Sequence, residues 1–567
     1  MENNNLLEVL KSTAMKKAVL QCNSLSDALK LLTFCLYSKG HDVRSFSDLK
    51  AVSIQYTGES FLGSDRFATD EAIEEANQQI RLALVTEKLR GDNDLPLFCR
   101  AFSDFEGLLS ACGRTSGEWM GFNPAVRALI LKWMSQEQNI IVPGAVLNNI
   151  LADLLKAKKS VTIETTNKDL TDFYKVAQLL GDVDIEPKLI DFEKIFPTTS
   201  ESKGLVCVGP WGLRCTNTKD FQVQMMVDAL ATVRGRMAFV VPSNVGYSPS
   251  FEDARRHILT SQRLVSVLEF PAEACDISSR PLNVYLFDSI EEHHSTVSFA
   301  SFSGASYWSP RSSRKNALEL SSLGNSLIEA IANGRRSEQM TLVPAEQILD
   351  NDENCLSVNR FVVPSEDRQN VLKIESFTHT LSDFVDVIRP LPPKFDEMGD
   401  DFLEVAPADF NSAGIVELPT KNVRFNLQKV TKGFQNIILR QGDIVFCTKG
   451  LVGRCGIVLE TPDNWVLGQT CVILRLKENN LARAVALTRY LRSKGGQAYL
   501  RMICDEGTLP VIPAKRLERM PAPALQPEQT KTEVEKFQRQ QAWLAEIERL
   551  KVAVQDEDMK EIPAEWN

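Results

Sequence analysis

Apolar positions change their spacing twice along the chain. Up to about residue 135 they recur at helical intervals, in Leu6, Leu7, Val9 and Leu10, through Leu29 to Leu36, and in Ala125 to Trp133 after a helix-starting Asn123-Pro124. This predicts an N-terminal helical domain over 1–135. From Asn139 to Asp288 the pattern becomes short β-rich runs, Ile140–Val142, Val161–Ile163, Leu205–Val208, Met237–Val241, Leu264–Phe270 and Asn283–Phe287. Intervals long enough for crossover helices separate the first five, so 136–300 reads as a doubly wound, mostly parallel sheet in an α/β chain. Ligands of such sheets sit beyond the carboxyl ends of the strands.

Polar stretches with some folded content, including a helical Leu327–Ala332, occupy 301–376, and Pro364-Ser365-Glu366-Asp367 marks a boundary. A second module spans 377–526. Within it, Leu439 to Leu459 reads as strand, glycine-bearing turn and strand: Ile444, Val445 and Phe446 form one run, Cys455 to Leu459 the other, with Lys449 and Arg454 at the connection. From Glu528 to Val554, Val534, Phe537, Trp543, Leu544, Ile547, Leu550 and Val554 fall near heptad spacing, so 527–567 is a helix and tail. That helix suits docking on a partner and packing on its own domain equally.

Hydrophobic residues make up 43% and charged residues 24%, globular proportions for a chain of 567 residues. No apolar run reaches the roughly 18–20 residues of a membrane span, and the N-terminal stretch lacks a signal peptide's apolar core, so a cytoplasmic protein without membrane contact is expected. Twelve cysteines contain no CxxC pair, which suggests buried free thiols and no metal site. The net charge of −10 would argue against a nucleic-acid partner, but it is unevenly spread. Between Lys421 and Arg519, 17 Lys and Arg face 7 Asp and Glu, a balance of +10 that leaves −20 for the remainder. A basic module on an acidic body is the pattern of one region meeting phosphate while the rest stays soluble.

FVVPSNVGYS at 239–248, ARRHILTSQRLVSVLEFP at 254–271, SSRPLNVYLFD at 278–288 and LSVNRFV at 356–362 follow one another in the order found in the adenine-N6 DNA methyltransferase subunits of type I restriction-modification systems, which the chain resembles here. The resemblance implies a Rossmann-like methyltransferase domain. It also implies where catalysis should lie, and those motifs depart from the family. The cofactor loop corresponds to IIVPGAVLNN at 140–149: Pro143 and Gly144 remain, but Val142 stands where the family has an acidic residue, and Val146, Leu147 and Asn148 fill the glycine turn. Branched side chains occupy space that only glycine would leave to S-adenosylmethionine. The Asn-Pro-Pro-Tyr/Phe motif corresponds to Val208, Gly209, Pro210 and Trp211; Trp211 retains an aromatic face for a flipped base, but Val208 offers no acceptor to its amino group. Glu164 falls where the family places an acidic residue on the cofactor ribose.

From Thr378 the chain resembles the target-recognition domain of type I specificity subunits. The resemblance runs through Leu381-Ser382-Asp383-Phe384, FLEVAPADFNSAGIVE at 402–417, the Leu-x-x-Gly-Asp-Ile hairpin, WVLGQTCVILRL at 465–476 and the stretch 490–529, about 145 residues in the family's order. It implies an α+β recognition domain, a long C-terminal spacer helix and duplex DNA as partner. The expected phosphate contacts are Lys421, Lys429, Lys432, Lys449, Arg454, Arg492 and Lys494, with Lys449 and Arg454 foremost.

The reading is a DNA-binding component of a restriction-modification-like or phage-defence assembly, a pseudoenzyme needing no cofactor. Its partners would be nuclease, ATPase or second recognition subunits, or a second copy, since one recognition domain reads a half-site. Two alternatives stand: an active adenine-N6 methyltransferase using S-adenosylmethionine, and a scaffold that binds DNA without sequence preference.

Overall fold

A computed structural model describes residues 119–558, apart from 145–146, parts of 168–182, 191–202, 210–219, 277, 279, 310–318, 351–353, 391–394, 426–432, 461, 463 and 506–508. The helices expected at 6–10 and 29–36 lie outside these residues. The chain divides between Val358 and Asn359 into two compact units.

The first unit is built on a nine-stranded sheet. Its elements in chain order are β1 (Trp119–Met120), α1 (Pro124–Trp133), β2 (Asn139–Val142), β3 (Leu147–Asn148), α2 (Asn149–Lys156), β4 (Ser160–Thr165), β5 (Ile185–Leu189) and β6 (Gly204–Cys207). There follow α3 (Phe221–Thr232), β7 (Met237–Pro242), α4 (Glu252–Thr260), β8 (Leu264–Phe270), β9 (Leu282–Phe287), β10 (Thr296–Ser301), α5 (Ser322–Ala332), β11 (Thr341–Pro344) and α6 (Ala345–Leu349). The sheet order is β11-β10-β8-β9-β7-β6-β2-β4-β5, and all strands but β9 and β11 run in one direction. All six predicted runs are strands, and the fold is the expected doubly wound α/β sheet.

Sequence preference explains the elements locally. Asn123, before Pro124, accepts the Val126 amide at 3.0 Å and caps α1, while Asn148 does the same for α2 through Leu151. Alternate residues of the central strands go to opposite faces: Ala238, Val240, Val284 and Leu286 join α1, α2 and α5 in one apolar cluster, whereas Phe239 and Phe287 meet edge-on at 5.8 Å on the other. The unpredicted strands are marginal ones. β5 carries Pro187 and an exposed Leu189 at the sheet edge, and β10 and β11 extend the opposite edge from sequence that is polar on one side.

The second unit starts with α7 (Ser365–Glu375), whose Asp367 pairs with Arg501 at 2.6 Å. After it come β12 (His379–Thr380), α8 (Leu381–Phe384), β13 (Val385–Ile388), β14 (Phe395–Val405), β15 (Lys421–Phe425), α9 (Phe434–Ile437), β16 (Ile444–Cys447), β17 (Cys455–Ile457), β18 (Trp465–Leu467) and β19 (Cys471–Leu476). The unit closes with α10 (Leu481–Arg492), α11 (Lys494–Met502), α12 (Ala514–Glu518), β20 (Pro521–Ala522) and α13 (Pro527–Asp558). An antiparallel four-stranded sheet, β13-β19-β16-β17, and a three-stranded sheet, β15-β14-β18, share residues of β16 and β19 between their cores. The predicted hairpin is β16 and β17, paired from Ile444↔Ile457 to Phe446↔Cys455. Helix α13 buries Thr530 and Phe537 but exposes Trp543, Ile547, Leu550 and Val554.

Among the described residues no helix is long and apolar enough to cross a membrane, and no cluster of three or more His, Cys, Asp or Glu side chains could hold a metal. The described cysteines are free and buried.

Asp443, just before β16, is the polar anchor of the second unit. Its carboxylate is almost fully buried and accepts Arg475 Nε and Nη2 from β19 at 2.8 and 2.7 Å, and the Arg440 amide at 2.8 Å. Removing one partner of a buried pair leaves the other charge uncompensated, which costs about 3–5 kcal/mol. Asp443→Ala should therefore lower the unfolding free energy of this unit by about that much, with amide exchange at Ile444–Cys447 rising toward the unfolded rate. Protection equal to the parent protein would contradict this anchoring role.

Candidate functional site

In the first unit the chain runs from β2 outward to β4 and β5, then returns to place β6 on the other side of β2. The strand order reverses between β2 and β6, where open α/β sheets form a ligand crevice. Parallel pairing of Ile141 with Leu205 brings the two sequence-identified loops to the same edge: Val142, Pro143 and Gly144 leave β2, and Val208 and Gly209 leave β6. Pro210 and Trp211 lie outside the described residues. Glu164 is on β4, next to the β2 partner Ile163. Topology thus gathers three separated stretches into one neighbourhood.

Its chemistry is mostly apolar. Val142, Leu147 and Val208 are buried in the core cluster, and Leu147 pairs with Trp119 in the short β1–β3 bridge. Asp276 fixes that bridge from outside, accepting the Trp119 indole and the Gly121 amide, each at 2.9 Å. Beyond β6, Gln222 donates to the Val240 carbonyl at 3.1 Å, and burial pushes the neighbouring Cys207 thiol up to about 12. Val208 presents no polar side-chain atom.

Glu164 differs from the rest. It is buried, its Oε2 has no hydrogen-bond partner among the described residues, and burial raises its carboxyl above the usual range against the opposing charges of Lys188 and Lys203. A second buried acid, which sequence reasoning missed, is Glu269 at the end of β8. Its Oε1 accepts Ser301 and Ser303 hydroxyls at 2.9 Å each, and burial raises it too. Its signal in the sequence was a lone acid in an apolar run.

The second unit places Lys449 and Arg454 in the β16–β17 turn, residues 448–454. Gly450 and Gly453 take φ of +75° and +85°, a left-handed backbone that side-chain-bearing residues rarely adopt. The turn is held on several sides. The Gly450 amide donates to the Pro510 carbonyl at 3.0 Å, Ile512 to Thr448 at 2.9 Å, Gln497 of α11 to Gly453 at 3.0 Å, and Arg454 to the Phe410 carbonyl at 3.3 Å.

Of the predicted phosphate contacts, Lys449 and Arg454 are exposed at this tip and Lys494 is exposed at the start of α11. Arg492 is turned to the protein: it donates to the Cys455 and Ser412 carbonyls at 3.2 and 2.6 Å and fills the space over Gly414. Lys421 pairs with Glu404 at 2.8 Å. Lys429 and Lys432 fall outside the described residues. Leu451 and Leu509 were not anticipated. They stand on the same tip 56% and 55% exposed, and Leu509 packs over Gly450.

No family model matches the chain, and no curated protein does. Among solved structures it is similar to a type I restriction-modification methyltransferase subunit from Streptococcus thermophilus, with 16% identity over 58% of this chain and 80% of that one and a TM-score of 0.44. It is similar also to the type IIG restriction endonuclease BpuSI, with 9% identity over 94% of this chain and 74% of that one, TM-score 0.44. A chain from a type I restriction-modification complex aligns at 11% identity over 65% and 94%, again with a TM-score of 0.44.

The raised Glu164 carboxyl has a measurable consequence. A folded-state pKa above the unfolded 4.5 means that the native state holds this proton more tightly, so the associated stability is complete below pH 4.5 and is lost as pH rises through the folded value. Glu164→Gln removes that dependence. Its unfolding free energy should match the parent near pH 4 and exceed it at pH 7; parallel stability–pH curves would show that the carboxyl is not strained by burial.

Proposed function

We propose that this chain is a sequence-specific DNA-binding component of a restriction-modification-like or phage-defence complex, carrying a methyltransferase-like unit that does not catalyse. The supporting observation is the tip at 448–454: exposed cations on a turn whose backbone is fixed by the hydrogen bonds of Gly450, Gly453, Thr448 and Arg454. A held turn brings Lys449 and Arg454 to phosphate without losing loop entropy on binding, and the local charge of +10 attracts the polyanion from a distance. Leu451 and Leu509 between these cations suit apolar contact with base edges or methyl groups in a groove. Lys494, and Lys429 and Lys432 nearby in sequence, would add backbone contacts that set register.

The crevice lacks the groups that catalysis would need. S-adenosylmethionine needs a glycine turn open to its backbone approach and a polar group for its ribose. Val142 at the acidic position and Leu147 in the glycine turn are core residues, and Val208 cannot accept a hydrogen bond from an adenine amino group. These residues do not fit the cofactor. One observation favours the alternative of an active methyltransferase: the buried Oε2 of Glu164 beside the switch point, which has no hydrogen-bond partner among the described residues. Subunits supplying nuclease or ATPase activity, or a second recognition surface, would complete the assembly.

Two experiments bear on this. Lys449→Ala with Arg454→Ala should weaken duplex binding and lower the slope of log affinity against log salt by about 1 per lost contact. An unchanged slope would refute the assignment of this tip, and equal affinity for random and selected duplexes would favour a scaffold without sequence preference. Calorimetry with S-adenosylmethionine and labelled methyl transfer to mixed-sequence DNA should both give no signal; transfer above background would establish the active alternative.

A further inference from the structure

Cys447 and Cys471 face each other directly across the β16–β19 pairing, at its last rung before the tip. The rung is of the close, non-hydrogen-bonded kind. Cys447 sends its amide the other way, to the Arg454 carbonyl at 2.8 Å, and the Cys471 amide goes to Gly468, while the next rung outward carries the Thr448-to-Thr470 hydrogen bond at 2.9 Å. Opposed residues at such rungs lie about 4.5 Å apart at Cα, inside the range that a disulfide spans. Both side chains also point to the same side of the sheet, into the core shared with Val445 and Ile473, whereas Cys455 points to the other.

We propose that Cys447 and Cys471 are an oxidisable dithiol that closes reversibly to a cross-strand disulfide at the base of the tip. The two thiols are chemically unequal, as an attacking and a resolving cysteine must be. Cys447 is pulled down to about 7, chiefly by the facing Cys471 thiol, against the effect of burial and with help from the Lys449 and Leu451 backbone and the Arg454 charge. The same contact, together with burial, pushes Cys471 up. Both sulfurs are buried at the rung that adjoins the 448–454 turn, and the Cys447 thiol donates to the Lys449 carbonyl of that turn at 3.1 Å.

With hydrogen peroxide as oxidant, the Cys447 thiolate attacks one oxygen, the O–O bond breaks, and hydroxide leaves and takes up the thiol's proton as water. The resulting sulfenic acid is attacked by the Cys471 sulfur, which loses its proton; the S–O bond breaks and a second water leaves. The two sulfurs together give up two electrons, and the peroxide is reduced by two. The inference rests on strand register and does not depend on the DNA-binding reading.

The test uses the full chain, treated with hydrogen peroxide, denatured, alkylated with N-ethylmaleimide and mapped by mass spectrometry. Expected are a peptide linking Cys447 to Cys471, its loss on adding dithiothreitol, and a rate at least tenfold above modification of Cys455, which is equally buried and whose thiol burial pushes up to about 12. Cys471→Ser should instead leave a sulfenic acid at Cys447 that dimedone traps, and Cys447→Ser should leave Cys471 reduced. The proposal fails if both thiols of the parent chain remain alkylatable, if Cys447 links to another cysteine, or if the link forms only in urea.

Discussion

A parallel sheet covered on both faces confines its chemistry to one edge, and the first unit is organised by that constraint. Because β2 pairs with β4 on one side and β6 on the other, the stretches Val142–Gly144 and Val208–Gly209, far apart along the chain, leave the sheet side by side. Position alone makes that edge a crevice candidate. What the side chains there do is a separate matter, and here Val142, Leu147 and Val208 are drawn into the core while Glu164 bears a desolvation cost that Lys188 and Lys203 offset only in part. Topology and chemistry therefore part company at the same residues.

The second unit is governed by a different balance. Its two cores both draw on β16 and β19, so these strands have a core on each face and leave no room for an unpaired polar group, and Asp443 with Arg475 satisfies that condition by a doubly bonded pair. Anchoring at one end of β16 leaves the other end free to carry the turn. The turn is then held by carbonyls of neighbouring loops, which separates Arg492 and Arg454 from Lys449: both arginines have planar donors that reach backbone acceptors, while the Lys449 side chain is exposed.

Legibility followed the same division. Continuous apolar runs such as Met237–Val241 are legible as strands because both faces are buried. Strands at the edges, β5 with Pro187 and β11 with an exposed Leu342, need only one apolar face and left no comparable trace. The hairpin at 444–457 was readable from its glycines. The roles of its cations were not: Lys421 and Arg492 were indistinguishable from Lys449 by residue type, and only the positions of Glu404 and of the Cys455 and Ser412 carbonyls separate them. Leu451 and Leu509 were equally hidden, since an apolar residue in a turn signals nothing until its exposure is known.

The proposed function makes these observations cohere in one respect that neither alone supplies. A recognition surface gains from rigidity, and rigidity here comes from hydrogen bonds that engage Arg454 and Arg492 with the protein's own carbonyls. Such arginines have fewer donors left for DNA, so the strongest electrostatic contribution would pass to the exposed Lys449 and Lys494, with the arginines holding the geometry in which those lysines act. Specificity in this arrangement would be carried by what stands between the charges, the apolar Leu451 and Leu509, because phosphate contacts fix register without reading sequence.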